Sequence, residues 1–355
     1  TTKATAANRA KIYKNGVECA YAATTYPNQN DTIQWFQSGK TQDIGEYNSS
    51  NYLRGNVSHV QYVDGVALAP TEFGEDDNGS WKIKSGTYSS MGNNGFHLKF
   101  ETTTGNGLGT DSSSNNNHLT LTGAGNQQED NPSNAFNKFL SEGVVNDGSG
   151  STVGGLGKTI VSSGTDARDV SIYGLAAGKW YWEMKVEAQS STTLYGISTG
   201  RGTGNASYLT ETTSNGDIGY GLVSSSGNMG YPSGQSSSYG STTAAGDFLM
   251  FALDITNNKF YIGKNGSWFN SGNPAGNSNG WTINNINAQN TSNTNFWYAA
   301  ESSFSGATTY YNFGDGYFNT VAAGTNADGA GYGKFKYSVP SGFYSICTKN
   351  ILTYG

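Results

Sequence analysis

Gly178-Lys-Trp-Tyr-Trp-Glu-Met-Lys-Val-Glu187 is the stretch whose reading decides the fold. Trp180, Trp182 and Met184 alternate with Lys179, Tyr181, Glu183 and Lys185. That period of two is what a strand shows when one face is buried. Two later runs answer it: Gly246-Asp-Phe-Leu-Met-Phe-Ala-Leu-Asp254, and Lys259-Phe-Tyr-Ile-Gly-Lys-Asn-Gly-Ser-Trp268. The latter contains Asn265-Gly266, a pair that accepts positive φ and so favours a tight hairpin turn just before Trp268. Together the three runs predict neighbouring strands of one β-sandwich.

The order and spacing of G-K-W-Y-W-E, then G-D-x-(apolar)-x-x-A-L-D, then an aromatic strand running into N-G-x-W, resemble the SPRY family. The resemblance implies a concanavalin A-like antiparallel sandwich that binds partners through its loops. It leans towards recognition and away from catalysis.

Composition agrees with an all-β chain. The 355 residues include 50 Gly, 23 Tyr and 16 Phe with only 13% charged residues, as many short strands and turns would produce. The length favours two domains. Mean hydropathy is low, yet aromatic residues at 13% supply burial units worth roughly 1.5–3 kcal/mol each, so the polarity is assigned to loops and solvent-facing strand positions. A net charge of −6 without a long Lys/Arg run argues against nucleic-acid binding. No apolar stretch approaches a membrane span and no leader pattern is visible, so a soluble chain without membrane insertion is expected. Cys19 and Cys347 are too few and too distant for a disulfide framework, and are read as free, buried thiols. The chain opens on Thr1, and residues 1–10 lead straight into a strand-like run, which implies a start inside a domain.

In the first part, residues 11–21 read as a hairpin about Asn15-Gly16. Further strands are expected at 32–36 and 42–47, as one long strand over 52–66, and at 96–100 with Phe96, Leu98 and Phe100 on one face. Pro70 opens a single helical turn. Ile12-Tyr-Lys-Asn-Gly-Val-Glu18, the run Arg54–Glu75, Gly95-Phe-His-Leu-Lys-Phe100 and Leu108-Gly-Thr-Asp-Ser-Ser-Ser-Asn-Asn-Asn-His-Leu-Thr120 resemble the second half of a laminin-G or pentraxin-like lectin domain. That combination followed by a SPRY-like domain resembles tail-fibre and other virion structural proteins of marine bacteriophages. The resemblance covers most of the chain but lacks the first strands of the lectin-like sandwich. It implies residues 1–130 as a lectin-like sandwich, possibly incomplete at its N-terminus, and 131–355 as the SPRY-like one. Residues 102–134 read as an irregular connection and 141–157 as a flexible stretch. Later strands are expected at 158–162, 170–173, 180–187, 194–198, 217–223, 247–254, 259–264, 296–300 and 308–313, with one more in 333–344.

The sequence carries no catalytic pattern that fits. Glu183 and Glu187 share a strand face, but four residues of rise separate them by about 13 Å, too far for a retaining glycosidase pair; both are read as solvated. Glu72, Glu75, Asp76 and Asp77 read as a solvated acidic loop, with calcium as the competing reading. His59, His97 and His118 lack zinc-site spacing and read as isolated strand histidines. No catalytic residue, metal or cofactor is therefore expected, and the chain is read as not an enzyme.

What remains is a loop surface dense in Tyr, Asn, Ser and Gly, above all Met229–Gly240, which offers rigid aromatic area beside adaptable hydrogen-bonding groups. Tyr208, Tyr231, Tyr239 and Trp268 are the candidate ligand contacts; covering sheet edges or packing between subunits is the competing reading of the same residues. The expected role is a virion component, in a tail fibre or capsid-attached appendage, that self-associates, joins other virion proteins and attaches to host-surface glycan or protein. The alternative is a carbohydrate-binding module or adhesin of a secreted or cell-surface bacterial protein. A polysaccharide-cleaving enzyme ranks last because no acid pair has suitable spacing.

Overall fold

The computed structural model describes residues 2–20, 25–31, 43–47, 51–53, 55–77, 79–84, 90–101, 107–122, 127–131, 133–139, 151–155, 157–162, 167–189, 192–200, 209–210, 212, 216–232, 234–286, 296–303 and 306–355. They form two compact units, Thr1–Gln127 with Asn131–Ser133, and Gln128–Asp130 with Asn134–Gly355.

The second unit is an antiparallel β-sandwich. One layer has nine strands, in the order Ser267–Trp268, Lys259–Lys264, Phe248–Asp254, Lys179–Ala188, Ala307–Asn312, Thr159–Ser162 and Ser151–Gly154, with Trp281–Thr282 added on Lys259–Lys264 and Tyr344–Ser345 added, parallel, on Lys179–Ala188. The other layer runs Ala167–Val170, Tyr298–Ser303, Thr193–Ser198, Gly219–Val223, Met229–Tyr231, Gly234–Gln235. Between them lies one apolar cluster, with Trp180, Trp182, Met184, Phe251, Phe260 and Tyr311 from the first layer and Tyr195, Ile197, Leu222 and Ala299 from the second. Trp182 stacks on Phe251 at 5.2 Å. The Asn265-Gly266 turn has φ of 50° and 89°, so both central residues sit in the left-handed region that a type I′ hairpin requires.

The alternation in Lys179–Ala188 was expected to divide core from solvent, and it does not. Tyr181 and Glu183 are as buried as Trp180 and Trp182. Tyr181 joins Met250, Ala252, Tyr261, Phe335 and Phe343 in a second apolar cluster on the sheet's outer face, against which Trp268, Tyr337 and Val339 also pack. The segment around Phe335–Phe343 therefore roofs the strand. Glu183, read as solvated, is fully buried and accepts the backbone N–H groups of Lys336 and Tyr337 at 2.9 and 2.8 Å and the Tyr181 hydroxyl at 2.7 Å. Glu187 is exposed and ion-paired with Lys185.

A second buried carboxyl bridges the layers from inside. Glu301 stands opposite Tyr195 and Asp169 on its own sheet and accepts the Thr309 and Tyr311 hydroxyls of the facing sheet at 2.7 and 3.0 Å. Its Oε1 has no hydrogen-bond partner among the described residues. Burial pushes the Glu301 carboxyl up to about 8 and that of Glu183 up to about 7, in the latter case against the pull of its donors.

Several strands differ from expectation in extent. Residues 151–154, inside the stretch read as flexible, pair with Thr159–Ser162, while 140–150 and the strand expected at 32–36 lie outside the described residues. In the 333–344 region only Tyr344–Ser345 forms a strand, and the Thr348–Tyr354 helix was not anticipated. A pairing of charges also sits inside: Lys158 and Asp315 meet at 2.5 Å, both buried.

Among the described residues the first unit holds four two-stranded antiparallel ribbons: Tyr13–Lys14 with Val17–Glu18, Glu46–Tyr47 with Asn51–Tyr52, Val60–Tyr62 with Phe96–Leu98, and Gly74–Asp77 with Ser80–Ile83. The hairpin about Asn15-Gly16 and the turn at Pro70–Glu72 match expectation. The long strand expected over 52–66 is reduced to three residues, because His59 has φ of 54° and cannot continue an extended run. Phe100, with φ of 58°, ends the other strand at Leu98 in the same way. Cys19 is half-buried and Cys347 buried, and both are free thiols.

The raised carboxyl values fix the sign of a pH dependence. Native Glu183 and Glu301 retain protons that an unfolded chain, titrating near pH 4.3, has released, so stability is full below that pH and falls as pH rises towards 7–8. Urea unfolding of the full chain is expected to show the second unit more stable by a few kcal/mol at about pH 5 than at about pH 8.5. Glu301→Gln is expected to flatten part of that slope while leaving stability near pH 5 within about 1 kcal/mol; an unchanged slope refutes the assignment.

Candidate functional site

At the edge where Met229–Tyr231 and Gly234–Gln235 close one layer, and Trp281–Thr282 borders the other, the sandwich presents a group of aromatic rings. Tyr231 stacks on Trp281 with centroids 5.7 Å apart and an interplanar angle of 25°. Both rings are half-buried. Gly234 pairs with Tyr231 across this edge, and a Cβ there would lie 2.9 Å from the Tyr231 ring. Tyr239 meets Trp281 edge-on at 5.9 Å and Phe269 at 6.1 Å.

An ordered amide follows Trp281 by three residues. Tyr220 donates its hydroxyl to Asn284 Oδ1 at 2.9 Å and accepts the Asn284 backbone N–H at 3.2 Å, leaving the exposed Asn284 held in place. The loop after Phe269 is tied to itself, with Asn270 Nδ2 donating to the Asn279 carbonyl, Asn279 Nδ2 to the Ser271 carbonyl, and Asn273 and Ser278 exchanging backbone bonds. Asn270, Asn277 and Asn279 have φ of 50–58°, a conformation asparagine tolerates better than most residues. This loop lies against Tyr261 of the outer-face cluster, whose hydroxyl donates to Asn277 Oδ1 at 3.4 Å.

Of the three candidate contacts among the described residues, Tyr231 and Tyr239 meet through Trp281 and Trp268 lies apart. Tyr231 is in the aromatic group. Tyr239 is a core residue, 5% exposed, whose hydroxyl accepts the Ile262 N–H at 3.1 Å; burial holds its phenol above the ordinary range. It positions the group from beneath and is not presented to a ligand. Trp268 is half-buried in the outer-face cluster, edge-on to Tyr181 and Tyr261, and so belongs to a different surface layer. Tyr208 lies outside the described residues. Trp281 was missed, although Gly280-Trp-Thr-Ile-Asn-Asn285 carries the signal, an aromatic and an apolar residue at alternate positions running into two amides.

Among the described residues, no three His, Cys, Asp or Glu side chains converge as a metal site. Asp77 is ion-paired with Lys82 and Glu75 with Lys84, and Asp76 accepts the Gly79 backbone N–H at 3.0 Å. No helix is long and apolar enough to cross a membrane.

No family model and no curated protein matches the chain. Among solved structures, it is similar to the SPRY domain of human HERC1, with 18% identity over 45% of this chain and 91% of that one, at a TM-score of 0.35.

Removing the Tyr239 hydroxyl leaves the buried Ile262 N–H without that acceptor. Tyr239→Phe is expected to lower the unfolding free energy by about 1–3 kcal/mol, measured by urea titration, without loss of the β-sheet circular dichroism spectrum.

Proposed function

We propose that this chain is a non-enzymatic recognition protein, a virion structural component of a bacteriophage carried in a tail fibre or capsid-attached appendage, with a SPRY-like second domain after a lectin-like first one. The observation that carries the recognition reading is the half-exposed Tyr231–Trp281 stack, with the ordered amide of Asn284 three residues after Trp281. Aromatic faces give contact area at little cost in side-chain entropy, and fixed amides select hydroxyl-bearing or peptide ligands without charge. Such contacts are individually weak, and several copies on one particle raise them to a useful avidity. The chain thus joins copies of itself and other virion proteins, and its ligand is a neutral glycan or protein on the host surface.

The same aromatic group also serves a carbohydrate-binding module or adhesin of a bacterial surface protein. Immunogold labelling of the native source separates the two: label on virus particles supports the first, label on cell envelopes the second. Binding of the full chain to host-surface polysaccharide is expected to fall at least ~tenfold in Trp281→Ala and Tyr231→Ala, while Trp268→Ala changes it little. Equal binding by all three variants refutes the assignment of the site.

A further inference from the structure

The three histidines of the chain lie in the first unit, His59 and His97 in contact and His97 linked through Asp111 to His118. His59 Nδ1 and His97 Nε2 are 3.1 Å apart. Their ring centroids lie 5.4 Å apart, close to the sum of that distance and the two centroid-to-nitrogen arms, which is its upper limit, so the nitrogens face each other head-on and share one hydrogen. Asp111 accepts the backbone N–H of His97 at 2.8 Å, and the backbone N–H of Asp111 donates to His118 Nδ1 at 3.0 Å. Asn115 and Asn117 of the same loop clamp the Gly95 carbonyl at the start of the His97 strand. The readings of these residues as isolated strand histidines is thereby corrected.

The head-on geometry limits how many protons the pair can hold. A neutral pair keeps its N–H···N bond. A first added proton goes to the outward nitrogen of the donor ring and keeps the bond, as imidazolium to imidazole. A second must occupy the accepting nitrogen, and two N–H groups then point at each other across 3.1 Å. His118 obeys a simpler rule, since a protonated Nδ1 cannot accept the Asp111 N–H.

We propose that His59, His97 and His118 form an acid-sensitive clasp that holds Val60–Tyr62, Phe96–Leu98 and the Asp111 loop together near neutral pH and releases them on full protonation. Burial, with His59 and Lys99 adding to it, lowers the affinity of His97 for a proton, while Asp111 and Glu101 act in the opposite direction. A folded pKa below the unfolded value means that this contribution is present above the ordinary histidine range and is lost as pH falls through and below it. The second unit responds in the opposite sense through Glu183 and Glu301, so mild acid loosens one unit and tightens the other. This proposal is independent of what the aromatic edge of the sandwich binds.

Hydrogen–deuterium exchange of the full chain at about pH 7.5 and about pH 5, corrected for intrinsic rates, tests it. Expected is a rise of roughly tenfold or more in exchange for peptides spanning 60–62, 96–98 and 111–119, with none for 179–188, and loss of that rise in His59→Gln. Equal protection of the first unit at both pH values overturns the proposal, as does an undiminished rise in the variant. Should His59→Gln be unprotected already at neutral pH, proton NMR titration of the wild-type rings decides. Two separated steps for the His59–His97 pair support the clasp, and three independent simple titrations overturn it.

Discussion

A carboxyl group in the middle of a central strand has to be answered by hydrogen-bond donors, and much of the second unit is arranged around that demand. Glu183 sits between Trp182 and Met184, whose side chains fill the space between the sheets, so its own side chain emerges on the other face. There two backbone N–H groups and one phenol close around it. Those N–H groups belong to residues more than 150 positions later in the chain. The carboxyl thus selects which segment roofs the sheet and in what register, and Tyr181, Phe335 and Phe343 then exclude water from the contact. Apolar packing alone is non-directional and would accept many placements of the roof.

Glu301 imposes a similar demand inside the sandwich. By receiving hydroxyls from Thr309 and Tyr311 it fixes the two layers to each other at a point where purely apolar faces could slide. Both carboxyls cost desolvation, and both lessen that cost by retaining protons. At the opposite kind of position, the outer border, Tyr231 and Trp281 close the seam between the layers with rings that stay half-exposed. Rigid seam and accessible ring face are therefore the same residues.

The strands of the second unit were legible because their patterns are strong: the runs at 179–188, 248–254 and 259–264 are long, aromatic and bounded by Gly and Asn turns. Burial on both faces of Lys179–Ala188 was not, since an alternation of Trp with Tyr and Glu looks like core against solvent unless the roof is known. Glu183 and the histidines were misjudged for one reason. Their partners lie far away in sequence, at Lys336 and Tyr337 for Glu183, and 38 positions apart for His59 and His97. In the first unit, strand lengths were overestimated because left-handed backbone at His59 and Phe100, residues with Cβ atoms, is invisible to pattern reading. At the candidate site, composition pointed to the right loop at Tyr231, but the share of aromatics taken into the core, Tyr239 among them, depended on packing.

The roof over Glu183 also sets an order of events during synthesis. Until the ribosome has released Lys336, Tyr337 and the strand Tyr344–Ser345, the outer face of Lys179–Ala188 is an open apolar surface with an unanswered acid at its centre. The sandwich therefore cannot close as its strands emerge one by one; it waits for residues 335–345, and a nascent chain stalled before that point exposes a sheet face prone to adhere to its neighbours.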